Sequence, residues 1–359
     1  MNRDIEIMLE VDGRLGYMAS STAIAIVADK LDMTKSGVRG MRSRALATRT
    51  GQLALMEWRS THVPRMGASA SKIASVVNMS NDVLNNAKAA HSSGYAVWIG
   101  DPHFPKQDTA AMSIVYDMVA DLPDVLYWSA LNDALDFGKL SFWDDRRWLR
   151  KQAIEDDIAD TLKIHNLHLD IMREVAPGSI PVAIVGNHDL RIATVNATNG
   201  LGVYDSARLM VDLYAKGVVF PGPIYRQNAW RINKSLVWAH GWSAAQTQST
   251  AARKNYEQAK RELGDRYDFD MIFGHSHRFY TQRLGLIQVH NAGHLANPQA
   301  DYAKSLLDWQ QGFAISRIDG DDNTTATIPI TRKGNRLQAF NPFNGKTYEA
   351  QVNAFSTID

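Results

Sequence analysis

The chain has 359 residues, of which 45% are hydrophobic and 21% charged, and a formal net charge of +1, an ordinary globular balance that gives no overall pull toward nucleic acid. It has no cysteine, which excludes disulfides, thiolate metal sites and cysteine nucleophiles. No stretch approaches the roughly 20 apolar residues of a membrane-spanning helix. The opening Met-Asn-Arg-Asp-Ile-Glu is acidic where a secretory signal would be basic and then apolar, so cytoplasmic residence is expected.

Residues 1–65 read as a small helical unit with its linker. Ser21 to Leu31 offers Ser and Thr caps followed by apolar residues at helical spacing. Thr34 can cap a second helix, Lys35 to Ala45, which carries Lys35, Arg39, Arg42 and Arg44. Two short helices joined by a tight turn, the second one basic, match a helix-turn-helix. The segment Met33 to Arg39 resembles the promoter-reading module of sigma factors and related regulators, and Lys35, Ser36, Arg39 and Arg42 become the expected DNA contacts. The alternative is a helical cap or assembly element with a solvated basic face. Gly51, Pro64 and Gly67 punctuate the stretch that follows, and a second domain is expected over residues 66–359.

That domain opens with a helix from Ser71 to Ala90. Tyr95 to Ile99 is then a buried-strand sequence running through Gly100 into Asp101-Pro102-His103. A helix is predicted over Thr109 to Ala120, and a strand over Val125 to Leu131 that ends in Asn132-Asp133-Ala134-Leu135-Asp136-Phe137-Gly138. A long charged helix, about Asp144 to Val175, stops at Ala176-Pro177-Gly178. His165 and His168 on it read as part of a solvated face. Strand Ile180 to Val185 ends in Gly186-Asn187-His188-Asp189. Strand Ser235 to Ala239 ends in His240-Gly241, and strand Phe269 to Phe273 ends in Gly274-His275-Ser276-His277. A hairpin from Phe279 to His290 turns at Gly285, and the tail beyond Phe313 reads as further strands.

Five apolar strands thus each deliver a polar tip: Asp-x-His, Asn-Asp-x-x-Asp-x-Gly, Gly-Asn-His-Asp, His-Gly and Gly-His-x-His. In an α/β sheet, the crevice past the carboxyl ends of the strands is where ligands bind. The order and type of these tips, over about residues 95–295, resemble the calcineurin-like metallophosphoesterases. The resemblance implies an α/β fold, the αββα sandwich of that family, behind the small amino-terminal helical domain. It implies two divalent metal ions, manganese above iron, zinc or nickel, the first held by Asp101, His103, Asp133 and His277. The second would be held by Asp133, Asn187, His240 and His275. It also implies His188 as general acid for the leaving alkoxide, with Asp189 orienting its imidazole. Arg191 is expected to bind a phosphate oxygen, and Trp242, just after His240-Gly241, to face substrate.

Asn132 departs from the glycine that usually precedes the bridging aspartate, and Phe137 from the arginine of the protein-phosphatase branch. Asp189 stands where that branch has Glu, and Phe137 and Asp189 together point away from a Ser/Thr protein phosphatase and toward phosphodiesterases and nucleases. The expected function is a dinuclear phosphodiesterase acting on nucleic acid. The alternatives are a hydrolase of a small phosphorylated substrate and a DNA-binding regulator on a catalytically silent esterase fold.

Overall fold

A computed structural model of the chain describes residues 3, 33–34, 38, 41, 70–138, 151–192, 206–224, 227–245, 247–264, 267–298 and 309–352. Two five-stranded sheets form its centre. The first is built on β1 (Ser93–Trp98), β2 (Val125–Leu131) and β3 (Ile180–Ala183), paired in parallel. The antiparallel strands β9 (Gly312–Asp319) and β10 (Asp322–Pro329) extend it beyond β1. The second sheet has β5 (Leu236–Ala239), β6 (Asp270–Phe273) and β8 (Ile287–Ala292) in parallel. Its edges are antiparallel, β4 (Ala229–Arg231) on one side and β7 (Phe279–Leu284) on the other.

Side chains alternate faces along a strand, and that alternation sorts the apolar residues into layers. Ala96 and Trp98 of β1, Tyr127 of β2, Val182 of β3, Trp238 of β5 and Ile272 of β6 share one buried cluster between the sheets. Within it the Trp98 and Trp238 rings meet edge to face at 5.6 Å. Their neighbours Val97 and Trp128 turn outward instead, into a cluster with α2 (Thr109–Ala120), α3 (Lys151–Val175) and α4 (Ser206–Ala215). Val237, Met271 and Phe273 turn outward from the second sheet against α5 (Gln248–Leu263). The result is a helix–sheet–sheet–helix stack, with α1 (Ala70–Ala90) contributing Val76 to the outer cluster and Leu84 to the inner one. A three-stranded sheet of β11 (Thr331–Lys333), β12 (Arg336–Asn341) and β13 (Lys346–Gln351) lies on the α2 side, burying Leu337 and Ala339.

Local chemistry sets the element ends. The Asp108 carboxylate caps α2 by accepting from the backbone N–H groups of Ala110 and Ala111 at 3.0 and 3.1 Å. Helix α5 stops at Gly264, whose φ of 62° is left-handed. The sequence does not announce this helix, because its buried positions are mainly alanines (Ala251, Ala252 and Ala259) that give little hydrophobic contrast.

One reading is corrected. His165 and His168 are buried rather than solvated. They fall in the series Ile158, Thr161, His165, His168 and Met172, whose steps of three and four keep one helix face toward the sheet. Burial is tolerated because both rings are bonded: His165 Nε2 donates to Ala130 O at 2.8 Å, and His168 Nδ1 meets the Tyr116 hydroxyl at 2.9 Å.

Lys35, Ser36, Arg39 and Arg42 lie outside the described residues, as does the 65/66 boundary. Nearby, Val38 is fully buried in the same cluster as Val76 of α1, and its N–H donates to Thr34 O at 3.1 Å. Among the described residues no helix is long and apolar enough to cross a membrane.

Candidate metal centre

The polar tips at the carboxyl ends of β1, β2, β3, β5 and β6 meet in one place. Asp101, His103 and His277 form one group whose donor atoms all lie within 4.8 Å of one another, and Asp133, His240 and His275 form a second. In the first group the Nε2 atoms of His103 and His277 face each other at 3.1 Å, and His277 Nε2 is 3.8 Å from Asp101 Oδ1. In the second, His240 Nε2 lies 3.1 Å from Asp133 Oδ2 and 3.2 Å from Asn187 Oδ1. His240 Nδ1 is 3.7 Å from Asp101 Oδ1, so the two groups adjoin.

The backbone is bent to deliver these side chains. Asp101, His103, Asp133, His275 and His277 all have φ between 48° and 68°, a left-handed conformation that costs a non-glycine residue about 1–3 kcal/mol. Two glycines make room for the carboxylates. A Cβ on Gly186 would stand 2.0 Å from Asp133 Oδ1, and one on Gly274 would stand 2.2 Å from Asp101 Oδ2. Glycine at each position is therefore a packing requirement of the cluster.

The donor set fits divalent cations. Imidazole and carboxylate without thiolate suit borderline-to-hard ions. Electrostatically the buried carboxylates divide. Burial, reinforced by Asp133, holds Asp101 well above the usual carboxylate range, whereas Asp133 is held well below it because His240 and His188 outweigh its burial. His240 is raised to about 9, the Asp133 carboxylate overcoming burial. Burial depresses His103 and His275 to about 4, with help from His188 and His240 respectively. His103 and His275 are thus neutral, as a cation requires of imidazole ligands, whereas His240 and Asp101 hold protons that a bound cation would displace.

Asn132 has a definite task. Its side-chain oxygen accepts from His240 Nδ1 at 2.7 Å while its amide donates to Ile99 O at 3.3 Å. That orients the His240 ring and turns Nε2 toward Asp133. The sequence marks Asn132 as a departure but cannot reveal this contact across 108 residues.

Around His188 the structure corrects the sequence reading. The ring is oriented by Asp136, not Asp189: His188 Nδ1 is 2.7 Å from Asp136 Oδ1. Asp189 is fully buried and accepts three backbone N–H groups, from Asp133 at 3.1 Å and from Leu135 and Gly186 at 2.9 Å. It ties the β2 and β3 tips together. The cause is directional, since adjacent side chains on a turn point different ways. Asp136 also meets His103 Nδ1 at 3.3 Å and Lys106 Nζ at 2.7 Å. Hydrogen bonds from the two histidines hold its carboxyl below the usual range despite burial.

Arg191 donates to the Asp136 backbone and side-chain oxygens at 2.5 and 3.2 Å, and its Nη2 lies 3.1 Å from His188 Nε2. A guanidinium can only donate, so His188 carries its proton on Nδ1 here. Trp242 is half-buried against the apolar cluster under α5, and its backbone N–H donates to Asn255 Oδ1 at 2.7 Å. His294 stacks on His277 at 5.1 Å, and the Trp309 ring closes the group 4.1 Å from His277.

No family model matches the chain, and no curated protein matches it. Among solved structures it is similar to vacuolar protein sorting 29 from Cryptosporidium parvum, with 13% identity over 72% of this chain and 97% of that one and a TM-score of 0.37. Vps29 from Chaetomium thermophilum shares 11% identity over 72% of this chain and 95% of that one, with a TM-score of 0.35. A predicted phosphoesterase from Streptococcus pneumoniae shares 11% identity over 73% of this chain and 99% of that one, with a TM-score of 0.27. At this level of likeness, the reading of the centre rests on its own geometry.

Proposed function

We propose that this chain is a calcineurin-like metallophosphoesterase that hydrolyses phosphate esters with two divalent cations. The observation that carries the reading is the meeting of Asp101, His103 and His277 with Asp133, His240 and His275 at the ends of four strands far apart in sequence. One cation would be held by Asp101, His103, Asp133 and His277, and the other by Asp133, Asn187, His240 and His275, Asp133 being shared. Bound there, such a pair supplies Lewis-acid stabilisation of phosphate oxygens and lowers the pKa of water toward about 7.

The chain's own residues supply the rest. His188 is partly exposed at the rim of the centre, with a side-chain accessibility of 17%, and its Nδ1 is anchored on Asp136. With Arg191 moved from Nε2 onto a substrate phosphate, His188 Nε2 would take a proton and give it to the departing alkoxide, while Asp136 stabilises the imidazolium. Arg191, beside His188 Nε2, is the candidate for gripping a phosphate oxygen.

For the substrate we propose a phosphodiester of nucleic acid. Its support is the sequence of the amino-terminal segment, where Lys35, Arg39 and Arg42 would contact phosphates beside Ser36. A small phosphorylated substrate is the competing reading.

Full-length protein assayed with Mn, Fe, Zn and Ni on bis(p-nitrophenyl) phosphate tests the hydrolase. Turnover that tracks bound metal and is lost in Asp133→Ala is expected. Absence of turnover with all four metals refutes it and favours a silent fold. For the substrate, a Lys35→Ala, Arg39→Ala, Arg42→Ala triple variant should lose DNA cleavage while keeping turnover of the aryl diester. Equal loss or no loss of both favours the small substrate.

A further inference from the structure

The small sheet of β11, β12 and β13 has one buried face and one open face. Side chains alternate along β12: Leu337, Ala339 and Asn341 are buried, while Arg336 and Phe340 are exposed. Leu337 and Ala339 join the outer apolar cluster with residues of α2. Residues directly opposite one another in an antiparallel pair share a face. Lys333 stands opposite Arg336, Glu349 opposite Gln338 and Thr347 opposite Phe340, and Lys333, Glu349 and Thr347 are all exposed. The candidate metal ligands belong to other elements, so this face is a separate surface.

A single exposed aromatic is ordinary, and it is the setting of Phe340 that carries information. Residues 330–352 bring Arg332, Lys333, Arg336 and Lys346 together against one acid, Glu349, in a chain whose net charge is +1. Lys346 is engaged by Asp121 at 2.9 Å. Arg336 meets Glu349 at 3.3 Å, with both side chains about half exposed, and an ion pair that open to water is weak. Arg332, on the edge strand β11, donates from Nε to Gly334 O at 3.2 Å. Arg336 and Phe340 are four residues apart on β12, about 13 Å at ~3.3 Å per residue. One end of the open face is therefore cationic and the other presents a ring that is 54% exposed.

We propose that this open face binds single-stranded nucleic acid, with Phe340 stacking on a base and Lys333 and Arg336 taking phosphates, while Arg332 adds positive potential at the edge. Aromatic rings set among cations hold strands in this way, because every base has a stackable face and every linkage a negative charge. A duplex keeps its bases stacked inside and cannot use Phe340. A protein partner would need a wider apolar patch, and the other exposed large hydrophobics among the described residues, Leu167, Tyr267 and Leu286, lie on other elements. The inference goes beyond the hydrolase reading, since this surface holds a strand and does not cut it.

The probe is a fluorescein-labelled oligodeoxythymidylate of about 15 nucleotides, the upper range of a single-strand site. Fluorescence anisotropy reads its binding to the full-length chain carrying Asp133→Asn, a background in which cleavage does not consume the strand. The strand should bind more tightly than a duplex of equal length. Phe340→Leu, which keeps an apolar side chain but no ring, should weaken it about 5–150-fold, and Phe340→Trp should retain it. Lys333→Gln with Arg336→Gln should reduce the slope of log affinity against log salt by about 1.4. All three positions are exposed, so these variants should keep the thermal transition of their parent. The proposal is overturned if Phe340→Leu binds the strand as its parent does. It is also overturned if binding is lost in the Lys35→Ala, Arg39→Ala, Arg42→Ala variant but untouched by the β11 and β12 changes, which puts the strand on the amino-terminal segment. A Phe340→Leu chain that changes its sedimentation but not its strand affinity overturns it as well, making the face a contact between copies. Binding is read without turnover, so failure here and failure of the hydrolase reading are separate results.

Discussion

His188 Nδ1 and Asp136 Oδ1 are 2.7 Å apart across 52 residues of chain. That bond selects the tautomer in which Nε2 accepts from Arg191, and the proposed acid role requires Arg191 to yield Nε2 to substrate. On the proposed mechanism, Asp136→Asn lowers kcat by about 10–100-fold and His188→Gln by about 10²–10⁴-fold, the range of a lost general acid. The double variant should be no slower than His188→Gln, because the two residues act as a unit. Rates measured at saturating metal decide it. A fully additive double variant would show that Asp136 acts elsewhere, for example through His103.

Asn132 sets His240. Replacing it with glycine removes the 2.7 Å bond to His240 Nδ1, and metal affinity should fall about 10–100-fold, as for other lost partners of a ligating imidazole. Titration against a competing chelator measures this. Asn132→Asp should retain most of the affinity, since a carboxylate also accepts from Nδ1–H.

Gly186→Ala and Gly274→Ala place a methyl group 2.0 and 2.2 Å from the Asp133 and Asp101 carboxylates. Each should cost about 1–3 kcal/mol of stability by overpacking, together with loss of bound metal. Thermal unfolding and metal content by mass spectrometry check the two effects. Normal metal content in both variants would mean that the carboxylates are not where the centre needs them.

Acid should destabilise the fold through α3. Burial depresses His165 to about 4 and His168 well below its usual value. Between the unfolded value near 6.5 and about 4, the unfolded chain takes up a proton that the folded His165 refuses. Stability is therefore intact above about pH 6.5 and falls as the pH drops through that window, by up to about 1.4 kcal/mol per pH unit for each such histidine. His165→Gln, which can still donate to Ala130 O, should flatten the profile of denaturation midpoint against pH. An unchanged slope would place the acid sensitivity elsewhere.

The sequence by itself determined the five central strands β1, β2, β3, β5 and β6 and what each carries at its tip. Buried strands need continuous apolar runs, and a run interrupted by Gly, Asp, Asn or His advertises both its end and its chemistry. The tips at 101–103, 132–138, 186–189, 240–241 and 274–277 were legible for that reason. Much less was legible where the signal depends on a partner. Helix α5 packs on alanines, and His165 and His168 look solvated until Ala130 O and the Tyr116 hydroxyl are seen to receive them. Only the tertiary structure decided which carboxylate serves His188, what Asn132 does, and why Gly186 and Gly274 are glycine. Those are matters of direction and of contact between segments distant along the chain. A linear pattern records which side chains are present, but which way they turn is fixed by the left-handed turns and close packing at the strand ends.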